Sequence, residues 1–137
     1  MFLKRGQVSF EYLVIFAVAA IMIIPLMLIF AHQSSSIEAD IAYAQAQSAL
    51  SKISASAEEI YFQGPPARKT LRVKFPEGLT EVRVEESAIV FKLSTSDGVF
   101  ELFEDTSAKL SGDIDSFGGV HVLVFEALED SVLITDK

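Results

Sequence analysis

The stretch from Tyr12 to Ala31 reads YLVIFAVAAIMIIPLMLIFA, twenty residues without a charged side chain. At about 1.5 Å rise per residue, a helix of this length is about 30 Å long, which matches the hydrocarbon core of a bilayer. Lys4 and Arg5 precede the stretch, and no further Lys or Arg occurs before Lys52. The positive-inside rule therefore predicts a single membrane pass, with the N-terminus in the cytoplasm and the chain after His32 outside.

The helix is predicted to continue well beyond the apolar stretch. Between Gly6 and Gly64 the chain has no glycine and one proline, Pro25. Gly64-Pro65-Pro66 is a helix stop, because glycine adopts the left-handed cap and proline cannot continue the hydrogen-bond ladder. We therefore expect a helix over 7–63. Its second half carries small and aliphatic residues at steps of three and four, which keep to one helix face; they are Ala39, Ala42, Ala46, Leu50, Ile53, Ala57 and Ile60.

After Pro66 the period of the pattern changes to two, which is typical of β-strands. Short apolar or alternating runs lie at 71–75, 82–84, 88–93, 99–103, 120–125 and 131–135. Asp97-Gly98, between two such runs, is the strongest hairpin signal. The expected fold class is α+β, a long N-terminal hydrophobic helix followed by a small antiparallel β-sheet or sandwich. The apolar stripe on the second half of the helix should complete the thin core of that domain.

Composition excludes several classes of function. The 137 residues suit one domain, and the absence of cysteine excludes disulfide scaffolds, thiolate metal sites and cysteine nucleophiles. A net charge of −8 makes nucleic acid a poor partner. Nucleotide-binding glycine motifs and the G-x-S-x-G motif do not occur, so we expect no catalytic residues, no cofactor and no enzyme activity.

Metal binding is also disfavoured by the sequence. His32 and His121 are far apart, without clustered carboxylates at ligand spacing, and we interpret them as an interfacial and a solvent-facing residue. Asp113 and Asp115 form a D-x-D that could hold calcium in an outward loop. The later ligands of a calcium loop are missing, which favours a polar turn.

On hydropathy alone, residues 1–31 resemble a secretory signal peptide or a plain membrane anchor. A secretory signal ends in a small-residue cleavage site, whereas here the apolar stretch continues into a polar helix. Glu11 lies at the edge of the predicted span. An isolated carboxylate there costs a few kcal/mol to bury and is usually retained for a partner.

The segment from Lys4 to Leu13, KRGQVSFEYL, resembles the class III signal peptide of archaeal type IV pilin-like proteins. The resemblance implies that a prepilin peptidase cuts between Gly6 and Gln7. Residues 1–6 are then a leader, 7–63 the mature N-terminal helix and 64–137 a C-terminal β domain. The signal motif comprises Lys4, Arg5, Gly6, Gln7, Ser9, Glu11, Tyr12 and Leu13, and the implied subunit contacts involve Phe10, Glu11, Leu13, Phe16 and Pro25.

The function implied by this resemblance is that of a pilin, a structural subunit that polymerises through its hydrophobic helix into a cell-surface filament for adhesion. The implied partners are other copies of the chain, the prepilin peptidase, the pilus assembly machinery and, before assembly, the membrane. A surface or glycan ligand is not indicated by any residue. The alternatives are a minor pilin, a non-polymerising single-pass anchor that displays a β domain for binding, and a membrane-tethered enzyme.

The chemistry of the residues agrees with assembly. Cutting after Gly6 creates an α-amino group four residues from Glu11, and in a dry bundle this carboxylate can pair with the amine of a neighbouring copy. An N-terminal Gln7 can cyclise and lose that charge, in which case a hydroxyl of Ser9 or Tyr12 on an adjacent chain would have to donate instead. Pro25 removes one helical hydrogen bond and is either a tolerated membrane proline or a flexible point.

Overall fold

The structure, a computed structural model, describes the backbone of residues 3–137 and the side chains of residues 9–33 and 37–137. The described backbone forms one helix and seven strands: α1 Leu3–Gln63, β1 Arg68–Phe75, β2 Leu79–Val84, β3 Ala88–Thr95, β4 Gly98–Asp105, β5 Leu110–Asp113, β6 Gly119–Ala127 and β7 Val132–Asp136. The chain divides into two compact units, Met1–Ile37 and Glu38–Lys137. The second unit contains the C-terminal part of α1 and all described strands.

The helix α1 ends where the sequence predicts its stop. Gly64 adopts a left-handed backbone with φ of 68°, and its amide donates a 3.2 Å hydrogen bond to the carbonyl of Ile60. This is the geometry of a glycine C-cap, which satisfies a carbonyl that the helix leaves free. The proposed division into a leader, a mature helix and a β domain concerns processing and stays a prediction.

The strands form two sheets, a four-stranded sheet in the order β1-β6-β7-β5 and a three-stranded sheet in the order β2-β3-β4. The predicted α+β class is confirmed, as is the Asp97-Gly98 hairpin, which joins β3 to β4. The four-stranded sheet is mixed, because β5 runs parallel to β7. The sequence pattern predicts a polar turn at Asp113 and no strand there, since Leu110-Ser111-Gly112-Asp113 offers only one apolar side chain; the structure places these residues in β5.

One core joins the helix and both sheets in the second unit. The rings of Phe75 and Phe91, from different sheets, meet edge to face with their centroids 5.0 Å apart. The predicted helical stripe closes this core, and its fully buried members are Ala46, Leu50, Ile53, Ala57 and Ile60, with Ala49 beside them. Each large aliphatic side chain buried here contributes about 1.5–3 kcal/mol to the hydrophobic stabilisation. The second half of α1 is therefore part of the core of the second unit.

The orientation of β6 corrects a prediction. His121 is 1% exposed, so the expectation that it faces solvent is wrong. Its Nε2 donates to the carbonyl oxygen of Phe117 at 2.9 Å, its Nδ1 faces the carboxylate of Asp136, and its ring lies between those of Phe75 and Phe117. Both faces of β6 are rich in apolar residues, so the alternation alone does not decide which face is buried. The face that carries Glu126 points outward, because burying its carboxylate would be costly.

Candidate assembly segment

The helical segment over residues 9–33 exposes nearly all of its side chains. Among the described residues of this segment only Ala20 is half-buried, and large apolar side chains are exposed on every side of the helix. They include Phe10, Tyr12, Leu13, Phe16, Ile21, Met22, Leu26, Met27, Ile29 and Phe30. A helix that is apolar all round belongs inside a membrane or a protein assembly rather than in water.

The apolar surface of this segment is too large to remain exposed to water. Burying one large apolar side chain is worth about 1.5–3 kcal/mol, so the ten side chains named above represent on the order of 15–30 kcal/mol in water. A helix in this region is long and apolar enough to cross a membrane. Lipid and the apolar helices of other copies are the two environments that could supply such cover.

Glu11 is the exception on this segment. It is the only Asp, Glu, Lys or Arg between Arg5 and Glu38. Its side chain is exposed, and among the described residues it has no ion pair and no hydrogen-bond partner. Lipid can cover its apolar neighbours but cannot neutralise a carboxylate. Inside a membrane, Glu11 would have to find a donor outside the described part of its own chain.

The other predicted assembly residues lie on the same helix. Phe10, Leu13 and Phe16 are 67%, 64% and 76% exposed, so they are available for contacts with lipid or protein. Pro25 lies within the helix, and α-helix continues on both sides of it. The proline still leaves the carbonyl of Ile21 without its helical donor. Both interpretations of Pro25 are compatible with this geometry.

The remaining predicted site residues fall partly outside the described region. Ser9 and Tyr12 are exposed on the helix. The processing site Gly6–Gln7 and the basic pair Lys4 and Arg5 lie outside the residues whose side chains are described.

The candidate metal ligands do not form a cluster in the described side chains. In the two ranges 9–33 and 37–137, no three His, Asp or Glu side chains come together as ligands. Asp113 ends β5, and one of its carboxylate oxygens accepts a 3.0 Å hydrogen bond from the amide of Ile114. His32 is exposed on α1, whereas His121 is part of the buried contact with Asp136.

One polar contact within the second unit, between α1 and the segment that follows β4, is not indicated by the sequence. Glu58 of the helix accepts hydrogen bonds from Thr106 and Ser107, in the segment between β4 and β5. The backbone amide of Ser107, followed by its hydroxyl, lowers the pKa of the Glu58 carboxyl below its ordinary value. In the sequence, Glu58 is an ordinary polar residue beside the apolar stripe, so only the three-dimensional contact identifies it.

Comparison with known proteins identifies the N-terminal segment. Residues 4–30 match the family model of the class III signal peptide, the hallmark of archaeal type IV pilin-like proteins. The match includes the basic pair, the predicted processing site, Glu11 and most of the apolar stretch. No curated protein and no solved structure matches the chain. The resemblance seen in the sequence is thereby confirmed for the N-terminal segment.

Proposed function

We propose that this chain, a type IV pilin-like secreted or surface protein, is a structural subunit that polymerises through α1 into a cell-surface filament used for adhesion. The signal peptide implies processing by a prepilin peptidase and handling by the assembly machinery. The same peptide and the apolar helix fit membrane anchoring before assembly and a surface location. In our proposal the N-terminus faces the cytoplasm, cleavage follows Gly6, and the role is structural rather than enzymatic.

The observation that carries this proposal is Glu11, which has no partner among the described residues and lies on a helical segment, residues 9–33, that is otherwise exposed and mostly apolar. A single helix in lipid would keep a carboxylate at the edge of the hydrocarbon without a partner, at a cost of a few kcal/mol. A neighbouring copy would offer an α-amino group or a hydroxyl to Glu11 and apolar side chains to Phe10 and Leu13. Assembly therefore satisfies two requirements of this segment, where lipid alone satisfies one.

The test combines an N-terminal mass with imaging of the cell surface. The intact mass of the protein purified from its native membrane or filaments should correspond to a chain that begins at Gln7, either free or cyclised. Antibodies against the second unit, carrying gold particles, should label filaments along their whole length in electron micrographs. An intact Met1, a chain beginning after Ala31, or label confined to the membrane would contradict the proposal.

The second candidate is a minor pilin or a membrane anchor that does not polymerise and displays the second unit for binding. It is favoured by the fact that this unit has its own core, formed by both sheets and the buried face of α1. The same imaging separates the candidates. A minor pilin would give sparse or terminal label on filaments, and an anchor would give label only on the cell body.

A further inference from the structure

The outer face of the four-stranded sheet combines cations with exposed aliphatic side chains. On β1, Arg72 and Lys74 point away from the core and stand opposite Val122 and Val120 of β6 in the antiparallel register. Val120 is 58% exposed and Val122 is half-buried. We call the surface formed by these four residues the basic face.

The cations of β1 differ in whether a described carboxylate pairs with them. Arg68, further along β1, forms an ion pair with Glu126. Arg72 and Lys74 have no ion pair and no hydrogen-bond partner in the part of the chain that the structure describes. Within the described residues, the basic face therefore carries two positive charges that form no ion pair, in a chain of net charge −8.

The outer face of the three-stranded sheet has the opposite character. A depression of about 330 Å³ lies on it, with Glu85, Phe103 and Asp105 among its lining residues. Phe103 is 65% exposed, and Val99, on the same side of β4, is 62% exposed. We call the surface formed by Glu85, Val99, Phe103 and Asp105 the acidic face.

Part of the charge on this sheet is balanced internally. Arg83 pairs with Glu101 and Glu81, and Lys92 also lies near Glu81, so these four residues form a neutral network.

The carboxylates of Glu85 and Asp105 stand outside that network. Neither has a cation partner among the described residues. The acidic face thus carries two uncompensated negative charges beside large exposed apolar side chains.

We propose that the basic face of one copy binds the acidic face of the next copy. The two faces match in uncompensated charge, two positive against two negative, and each presents apolar side chains that the other could cover. A symmetric contact of either face with itself would bring like charges together, which disfavours closed dimers. A contact between two different faces is heterologous and repeats from copy to copy, giving a ring or an open helical assembly.

The pairing of the two faces rests on the proposed function, since it assigns the subunit contacts made by the second unit, and its evidence comes from residues of that unit alone. The test uses the natural absence of cysteine from the chain. The full chain would be prepared in native membranes in three forms: Val120→Cys, Phe103→Cys and the double variant. Each preparation would be treated with a short bifunctional thiol crosslinker.

The expected result is a ladder of covalent multimers from the double variant and only monomers from either single variant. A mixture of the two single variants in one membrane should give a dimer and nothing larger. The control is the pair Phe103→Cys with Glu129→Cys, because the exposed Glu129 lies in the β6–β7 connection, outside both faces. That control should give no ladder. Dimers from a single variant, or no multimers from the double variant, would overturn the inference.

Charge exchange adds a second measurement. Lys74→Glu in the double-cysteine background should reduce the multimer yield roughly fivefold at low salt, and adding Asp105→Lys should restore it. A yield unchanged by Lys74→Glu would also count against the pairing. Electron microscopy of the chain without cysteine separates this inference from the proposed function. If filaments form but crosslinking gives no ladder, the proposed function stands and the pairing of the two faces is wrong. If crosslinking gives a ladder but no filaments form, the pairing stands and the proposed function is wrong.

Discussion

Ser107 donates two hydrogen bonds to the same carboxylate oxygen of Glu58, one from its backbone amide at 3.0 Å and one from its hydroxyl at 2.7 Å. The hydroxyl of Thr106 lies 3.4 Å from that oxygen. A single side chain of α1 thus holds the segment between β4 and β5. Donors that favour the charged carboxylate lower its pKa, which links this contact to the pH dependence of folding.

Replacing Glu58 by glutamine should destabilise the second unit in a pH-dependent way. Hydrogen bonds to a charged group are strong, but Glu58 is only partly buried, so we expect a loss of about 1 kcal/mol in the free energy of unfolding at pH 7. The folded pKa of Glu58 lies below its ordinary value of 4.5. The contribution is therefore complete above that value and is lost as the pH falls through the lowered pKa.

Denaturant unfolding of the full chain in detergent, at pH 7 and at pH 3, measures this effect. The difference between wild type and Glu58→Gln should shrink at the lower pH. The control is Glu59→Gln, which removes an exposed ion pair with Lys69 and leaves an amide oxygen to accept the exposed hydrogen bond from Gln63; it should cost less than about 0.5 kcal/mol. An equal loss at both pH values would show that the charge of Glu58 is irrelevant.

Gly112 should tolerate alanine far less than Gly98 does. Both have a positive φ, 115° and 135°, so alanine is strained at either position. At Gly112 an added Cβ would overlap the carbonyl oxygen of Ile134, whereas the space beside Gly98 is open. We expect losses in the free energy of unfolding of about 3 kcal/mol or more for Gly112→Ala and about 1 kcal/mol for Gly98→Ala. Losses of equal size would mean that the close contact between β5 and β7 relaxes without cost.

The sequence predicts elements whose pattern is strong and local. The end of α1 follows from Gly64 and two prolines, and the hairpin between β3 and β4 follows from Asp97-Gly98. The strand β5 escapes such reasoning because it is held by parallel pairing with β7, a partner distant in sequence, and because Gly112 suggests a turn. Local pattern therefore fails where a long-range backbone contact decides the structure.

The candidate site divides in the same manner. Glu11 can be recognised from sequence, since a lone carboxylate beside twenty uncharged residues is conspicuous. The burial of His121 could not be predicted from the sequence, because residues on both faces of β6 are apolar and their alternation does not show which face is buried. The basic and acidic faces were also hidden, because Lys74 and Val120 come together only through the register of β1 with β6.

The contact between His121 and Asp136 should contribute more to the free energy of unfolding than the packing of either side chain alone. His121 is fully buried, and Asp136 covers one of its ring nitrogens. Asp136→Leu leaves that nitrogen without its partner, for which we expect a loss of about 2–3 kcal/mol in the free energy of unfolding. The double variant His121→Leu/Asp136→Leu should lose clearly less than the sum of the two single losses. Strict additivity in denaturant unfolding would show that the two side chains act independently.

Replacing Glu11 should separate assembly from membrane insertion. Glu11→Ala removes the only acidic or basic side chain, other than histidine, of the segment 9–33, which makes the segment no less compatible with lipid, so the amount of protein in the membrane fraction should stay unchanged. Filaments should disappear from electron micrographs, because in the proposed assembly neighbouring copies would lose the contact between Glu11 and its donor that fixes their axial register. Glu38→Gln, which changes the next carboxylate along the chain, is the matched control and should leave filaments intact.

Glu11→Gln then distinguishes the donor on the neighbouring copy. If the donor is the α-amino group of an uncyclised Gln7, the neutral amide loses the charge pair and filaments fail; if it is a hydroxyl of Ser9 or Tyr12, the amide oxygen still accepts the hydrogen bond and filaments persist. Wild-type numbers of filaments from Glu11→Ala would instead indicate that the helix is held by apolar packing alone.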